Sequence, residues 1–214
     1  MVAVHFTYDL TELYGFFTPP KIRIYEYMLR WGGVVFFLIS GICATLSSRS
    51  LRRGALVFAC GMGITAVTYL ADRYLAVYFG VLHCLGSCMM LWSVFHKLPM
   101  VSLGAAAAGI IGLGLLFQQF RVSIPCLFWL GLITPAFSSA DFFPLFPFLG
   151  FFLLGGVLGR LLYKEKRTLL PKANVQTPFL SSLQLCGRHS LSIYLLHQPV
   201  ILVILELINA EVHP

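Results

Sequence analysis

The chain has 214 residues, of which 58% are hydrophobic and 11% are charged, and its mean hydropathy is +0.86. Soluble domains carry about 25% charged residues, so this composition excludes an ordinary soluble protein and indicates a polytopic membrane protein. The net charge of +7 lies in short loops between apolar segments and not on one continuous face. This distribution argues against a nucleic-acid partner.

Apolar segments of membrane-spanning length recur along the chain. A span needs about 20 residues, and a scan at that length predicts about seven spans in one all-α transmembrane bundle, a single domain over residues 1–214. The predicted spans are 1–17, 24–46, 55–71, 77–95, 101–120, 143–163 and 185–209. The first is short, which predicts a first helix that lacks its beginning or enters the bilayer only in part.

Basic residues follow every second predicted span. Arg49, Arg52 and Arg53 follow the second span, Lys97 follows the fourth, and a cluster at 164–172 follows the sixth. The positive-inside rule places these loops in the cytoplasm, so the first and last helices both run outward. The three guanidinium groups of the first loop either anchor the inner surface or suit a phosphate-bearing ligand.

The segment between the fifth and sixth spans is apolar but interrupted by proline. A re-entrant or interfacial element is predicted near 122–137, because irregular backbone survives at membrane depth only where protein or a cavity surrounds it. Asp141 directly precedes an apolar helix, where a carboxylate is favoured as an N-terminal cap, and a cap that faces a cavity can also bind substrate. The Gly155-x-x-x-Gly159 spacing in the sixth span predicts a close approach between helices.

Three histidines, His5, His83 and His197, lie within predicted spans. Imidazole titrates near neutral pH, so each is a candidate proton carrier, while a neutral imidazole that bridges two helices is the simpler interpretation of any single one. Three in one bundle favour catalysis. Asp9 lies one helical turn after His5, where its carboxylate can orient the imidazole, with an outer-end cap or an ion pair to an arginine as the alternative.

The last predicted span carries polar groups at membrane depth, where they are costly and mark function by default. Its polar side chains include those of Arg188, His189, Tyr194, His197 and Gln198. We expect this stretch to face the bundle interior, with Arg188 near the inner surface. The six cysteines form no C-x-x-C pair, so no metal site is predicted.

Five parts of the chain together carry a family pattern. They are residues 1–10, 37–41 with 52–54, 79–86, 138–150 and 187–199. In this order they resemble the bacterial members of the heparan-alpha-glucosaminide N-acetyltransferase catalytic-domain family, a branch of the transmembrane acyltransferase superfamily. An Arg-Gly pair that the family usually carries upstream of the His5 position is missing here.

The resemblance implies an acyltransferase that moves an acetyl or other acyl group from acyl-CoA, typically acetyl-CoA from the cytoplasm, to a sugar amine or hydroxyl. In that scheme His5 is the general base, and Asp9 orients it. The expected oxyanion donors are drawn from His83, Tyr194, His197 and Gln198. Asp141 is a candidate for substrate binding. The CoA phosphates would contact Arg49, Arg52, Arg53 or Arg188.

The expected partners are the lipid bilayer and a carbohydrate or glycolipid acceptor, and the expected location is a bacterial inner membrane. A homo-oligomer is an open alternative to a monomer. Two other functions compete with the acyltransferase. One is a transporter or flippase of a polar or lipid-linked substrate, in which the same histidines relay protons. The other is an inactive, truncated membrane protein.

Overall fold

A computed structural model of the chain describes residues 23–73, 76–163 and 177–212, together with Phe6 and Leu10. For residues 23–30, 179 and 209–212 it describes the backbone only. Within these residues the fold is all-α, as predicted. An isolated parallel bridge between Phe79 and Phe142 is the sole extended pairing in this part of the chain.

The described residues form seven α-helices and one 3-10 helix. In chain order these are α1 (Arg23–Leu46), α2 (Ser50–Ala71), α3 (Val81–Phe95), α4 (Met100–Phe117), the 3-10 helix Pro125–Leu130, α5 (Leu145–Leu162), α6 (Pro178–Arg188) and α7 (Ser190–Val212).

Four of these helices are long and apolar enough to cross a bilayer. They are α2, α4, α5 and the Ser190–Ile208 part of α7. Two further apolar segments, Trp31–Leu46 and α3, are shorter than a typical span. The structure therefore supports an all-α membrane fold with four candidate spans among the described residues, and the count of about seven stays a prediction. The predicted span 1–17 lies outside the described residues.

Most predicted spans agree with helices, but three differ in detail. Helix α2 begins at Ser50, before the predicted span 55–71, so Arg52 and Arg53 lie in its first turn and not in a loop. The predicted span 77–95 begins as a helix only at Val81, because the residues before it are extended and pair with the segment that precedes α5. The predicted span 185–209 is not one helix, since α6 ends at Arg188 and His189 leaves the helical conformation at φ −102° and ψ 15°. Glycine and serine beside this break have low helix propensity, which explains why the helix is interrupted there.

The chain divides into two compact units. One unit is Gly33–Leu169 and contains α2 to α5 with the last part of α1. The other joins Met1–Gly32 to Leu170–Pro214 and contains α6 and α7. The assignment of one domain to residues 1–214 stays a prediction.

Within Gly33–Leu169, α2 packs on α3, α4 packs on α5, and α3 also contacts α5. Glycines bring α1 and α5 together. A Cβ added at Gly155 would overlap the Leu38 carbonyl oxygen, and one at Gly159 would lie 2.7 Å from Thr45 Oγ1. The close approach predicted from the Gly155-x-x-x-Gly159 spacing is therefore confirmed.

The predicted element near 122–137 contains the 3-10 helix Pro125–Leu130. Gly131 ends it at φ 108°, a left-handed conformation that suits glycine. Phe128 stacks on Phe137 with ring centroids 5.3 Å apart and meets Phe79 edge to face at 6.5 Å. The segment thus packs against the chain that leads into α3, while its depth in a membrane stays a prediction.

Candidate functional site

His83 lies in the first turn of α3 and is 2% exposed. The Gly80 N–H donates to its Nδ1 over 3.2 Å. Because Nδ1 accepts, Nε2 carries the ring proton, and its partner at 3.2 Å is Thr65 Oγ1. The Thr65 hydroxyl in turn donates to the Val77 carbonyl. Both ring nitrogens of His83 are therefore used in fixing the chain between α2 and α3.

Apolar groups enclose the same imidazole. The rings of Phe58 and Phe79 have centroids 5.5 and 5.6 Å from it. Gly61 of α2 lies flat against the ring, where an added Cβ would be 3.0 Å from Nδ1. This packing encloses the ring between α2 and the chain that leads into α3.

Asp141 contacts the same helix start that holds His83, although the two residues are 58 positions apart in the chain. Its Oδ2 accepts the Val81 N–H over 2.9 Å, and an added Cβ at Gly80 would overlap that oxygen. Glycine at position 80 is thus required by the close approach. Asp141 was expected to cap the helix that follows it; it caps the start of α3 instead, because the chain before α5 runs alongside residues 79–81.

Hydrogen bonds hold the segment 139–143, which precedes α5, against the chain that leads into α3. Ser139 Oγ accepts the Tyr78 N–H over 3.1 Å and donates to the Asp141 carbonyl over 2.8 Å, while the Phe143 N–H donates to the Phe79 carbonyl over 2.9 Å. Burial raises the pKa of the Asp141 carboxyl, and the bond from Val81 opposes that rise only in part. The structure therefore joins His83 and Asp141 through Gly80 and Val81.

A second candidate region surrounds the start of α2, where Arg49 is the N-cap residue and Arg52 and Arg53 lie in the first turn. An open cavity of about 720 Å³ lies there, within the range of about 300–1,000 Å³ typical of small-molecule sites. Its walls are Ala44, Thr45, Ser47, Ser48, Arg49, Ser50, Leu51, Arg52, Trp92, Ser93, His96 and Arg160. Arg53 lines an adjoining cavity of about 450 Å³ and donates to Ser47 Oγ over 3.3 Å.

Arg160 enters this cavity from the last turn of α5. One guanidinium nitrogen donates to the Leu98 carbonyl over 2.8 Å, and another donates to the His96 carbonyl. The guanidinium carbon also lies 5.7 Å from the centroid of the Trp92 ring. Sequence reasoning missed Arg160, although an arginine in a segment this apolar is itself a signal that a specific partner is needed.

The remaining predicted site residues of the described chain lie in the unit that contains α6 and α7. His197 is 9% exposed, and its Nδ1 contacts the Tyr194 carbonyl. The Tyr194 and His197 rings have centroids 5.1 Å apart. Gln198 is half-buried on the same helix, while Arg188 is exposed at the end of α6.

The two residues expected to act as base and orienter, His5 and Asp9, lie outside the described residues. Among the described residues, no group of three or more His, Cys, Asp or Glu side chains is placed to hold a metal ion. The buried cysteines of α3 serve packing, with Cys84 and Cys88 fully enclosed in the core.

Comparison with known proteins adds the family. The sequence matches the family of the heparan-alpha-glucosaminide N-acetyltransferase catalytic region over residues 1–199. The chain belongs to this family. The resemblance to this family that was inferred from the sequence motifs is therefore confirmed, and a bacterial origin stays a prediction. No curated protein and no solved structure matches the chain.

Membership in the heparan-alpha-glucosaminide N-acetyltransferase catalytic family, together with the apolar helices, assigns the chain to the membrane acetyltransferases. The family uses acetyl-CoA as its donor. The match extends into both compact units of the chain and includes the His83 and Asp141 region, the arginine-lined cavity and helix α7 as far as Pro199.

Proposed function

We propose that the protein transfers an acetyl group from acetyl-CoA to the amine or hydroxyl group of a carbohydrate or glycolipid acceptor within the membrane. The observation that carries this proposal is the family match over residues 1–199. The arginine-lined cavity supports it, because its size and its guanidinium groups suit the phosphate-bearing end of a CoA ester.

In the proposed reaction His5 takes a proton from the acceptor amine or hydroxyl while the nitrogen or oxygen of that group attacks the thioester carbonyl carbon. The electron pair of the C=O π bond moves onto oxygen, which gives a tetrahedral oxyanion. When the C=O bond forms again, the carbon–sulfur bond breaks and His5 passes its proton to the departing CoA sulfur. Asp9 orients the His5 ring through the ring nitrogen that does not take the proton. General-base help of this kind contributes about 10² to 10⁴ in rate.

We assign the remaining predicted residues by their contacts. His83 already donates its ring N–H to Thr65 and accepts from Gly80, so we propose it as a positioning residue and not as an oxyanion donor. Tyr194, His197 and Gln198 remain candidates to stabilise the oxyanion. Asp141 remains a substrate candidate.

The experiment uses the full-length protein in lipid nanodiscs with labelled acetyl-CoA and glucosamine-bearing acceptors. The expected result is labelled acceptor that depends on protein and on acceptor, with at least a hundredfold loss in His5→Ala, an order of magnitude set by the general-base contribution. The matched control is His189→Ala, an exposed histidine that has no place in the scheme. Absence of transfer by the native chain, or full activity in His5→Ala, would contradict the proposal.

We also propose that the protein lies in a bacterial inner membrane with Arg49, Arg52 and Arg53 on the cytoplasmic side, as the distribution of basic residues predicts. This orientation puts the exposed Cys126 on the outer side. A membrane-impermeant maleimide added to intact cells should then label the native chain, and Cys126→Ser should lose that label. Unchanged labelling in Cys126→Ser, or labelling only after lysis, would contradict the proposed orientation.

A further inference from the structure

The cavity at the start of α2 is lined by cations and hydroxyl groups. Arg49, Arg52 and Arg160 bring guanidinium groups to it, and His96 adds an imidazole. None of its described lining residues is an aspartate or a glutamate. The described part of the walls therefore carries positive charge that none of these lining residues neutralises, which favours an anionic ligand.

Ser50 supplies the second, independent observation. It lines the cavity, is 7% exposed, and its Oγ is shielded from solvent with no hydrogen-bond partner among the described residues. Buried hydroxyl groups nearly always have a partner, so this donor lacks an acceptor that a ligand can provide. An anion that supplied the acceptor would recover the hydrogen bond at a desolvated position, where it is strongest.

The backbone at Ser50 points to the same ligand chemistry. Ser50 is the first residue of α2, a helix of 22 residues whose N-cap, Arg49, makes no side-chain capping bond and whose first turn holds no acidic residue. The first N–H groups of such a helix have no acceptor within the helix, and its dipole adds a partial positive charge. Helix N-termini of this kind bind phosphate groups.

Arg160 gives the site a fixed wall. Its guanidinium is held by the carbonyls of His96 and Leu98 and by the ring of Trp92, so its charge stays in one place. Arg49 and Arg52 line the same cavity and are exposed. The cavity thus combines one guanidinium held in place on α5 with two guanidinium groups, a hydroxyl and a helix N-terminus at the start of α2.

We propose that this cavity binds a terminal phosphate monoester, with Ser50 as the residue that recognises it. A monoester carries three acceptor oxygens and about two negative charges, which match a hydroxyl, backbone N–H groups and guanidinium groups at once. A phosphodiester, such as that of a common anionic lipid, offers two free oxygens and one charge. The identification of the ligand as the 3′-phosphate of CoA rests on the proposed function, whereas the site itself does not.

The test compares CoA with dephospho-CoA, which lacks only that monoester, by calorimetric titration of the full-length protein in phosphatidylcholine nanodiscs. The native chain should bind CoA at least tenfold more tightly. Ser50→Ala should weaken CoA binding about tenfold and leave dephospho-CoA within about twofold, because one hydrogen bond to a charged group is lost. Ser102→Ala, an exposed serine on α4, is the matched control and should change neither.

A charge variant keeps the test decisive if Ser50→Ala does not fold. Arg49→Gln should also reduce the preference for CoA over dephospho-CoA, whereas Arg121→Gln, an exposed arginine remote from the lining residues, should preserve it. Ser50→Thr, which keeps the hydroxyl, should retain the native preference.

Three results would overturn the proposal. The first is equal binding of CoA and dephospho-CoA by the native chain. The second is equal weakening of both ligands by Ser50→Ala. The third is loss of CoA binding when phosphatidylglycerol replaces part of the phosphatidylcholine, which would make the cavity a lipid phosphodiester site. A CoA preference that depends on Ser50 in a protein without acetyl transfer would sustain this inference and reject the proposed function.

Discussion

The Val81 backbone N–H donates to Asp141 Oδ2 over 2.9 Å, so the chain that precedes α5 supplies the cap for the first turn of α3. The same turn holds His83, whose Nδ1 accepts the Gly80 N–H from three residues earlier. A carboxylate from one segment and an imidazole from another therefore fix a single helix start. A substitution of either Asp141 or His83 should therefore first alter the geometry at the start of α3.

The Asp141 cap should give the protein a pH-dependent stability. Burial raises the pKa of the Asp141 carboxyl, so the folded chain holds this proton to higher pH than the unfolded chain. The free energy of unfolding should then fall as pH rises from the ordinary carboxyl range through the raised pKa. Asp141→Asn, which does not titrate, should lack this fall, while Asp72→Asn should retain it. Thermal unfolding in nanodiscs from about pH 4 to about pH 7 measures the difference.

The same carboxylate can be tested for its hydrogen bond alone. Asp141→Ala removes the acceptor of the Val81 N–H and should cost about 0.5 to 2 kcal/mol of stability, as other lost helix caps do. Asp141→Asn keeps an acceptor oxygen and should cost less at neutral pH. Equal unfolding midpoints for the Asn and Ala variants would show that the bond contributes nothing.

Thr65 should matter through its hydroxyl. Thr65→Val keeps the shape of the side chain but leaves the Nε2 proton of His83 and the Val77 carbonyl without their partner. The expected loss is about 1 to 3 kcal/mol, the cost of unsatisfied buried polar groups. Thr65→Ser keeps the oxygen and should stay close to the native stability. Equal unfolding midpoints for Thr65→Val and Thr65→Ser would show that the Thr65 hydroxyl does not contribute to stability.

Replacing glycine by alanine should change the stability in opposite directions at different positions. Gly41→Ala places a methyl group on the Phe152 carbonyl, so α1 and α5 must separate, at a cost of about 1 to 3 kcal/mol or more. Gly109→Ala, in α4, meets nothing within 4 Å and should gain about 0.4 to 1 kcal/mol from lower chain entropy. Thermal unfolding and the yield of folded protein compare them. Destabilisation by both, to the same extent, would contradict the packing of α1 on α5.

Arg160 should contribute to stability as well as charge. Arg160→Lys keeps the charge but cannot reproduce both bonds to the carbonyls of His96 and Leu98, which close the end of α3. The expected loss is about 1 to 3 kcal/mol. Arg121→Lys, at an exposed position, should have no measurable effect. Hydrogen exchange at the end of α3 would localise the change, and unaltered protection there in Arg160→Lys would contradict this role.

Much of the fold followed from apolar segment lengths. The ends of α1, α4 and α5 lie within a few residues of the predicted spans, because long apolar runs leave few alternatives in a membrane. The extended stretch before Val81 was not predictable in this way. Its residues are apolar, and their pairing with the chain before α5 depends on a segment far away in sequence.

The sequence allowed several residues of the site to be identified, but it did not allow their contacts to be predicted. The sequence singled out Asp141 and His83, but not that they meet at one helix start. It singled out Arg49 and Arg52, but not the Arg160 side chain that reaches the same cavity. Ser50 drew no attention, since a serine at the start of a helix is common and only burial without a partner distinguishes it.

The sequence by itself determined the membrane class, the all-α fold, the order of most helices and the acetyltransferase family. These follow from local composition, from the bilayer's demand that backbone groups be paired within helices, and from motifs read along the chain. The tertiary structure alone decided which helix Asp141 caps, where the His83 proton resides, and that Arg160 and Ser50 share a cavity. Such properties arise from contacts between distant segments, and the hydrogen-bond partners of a buried group are fixed only when those segments come together.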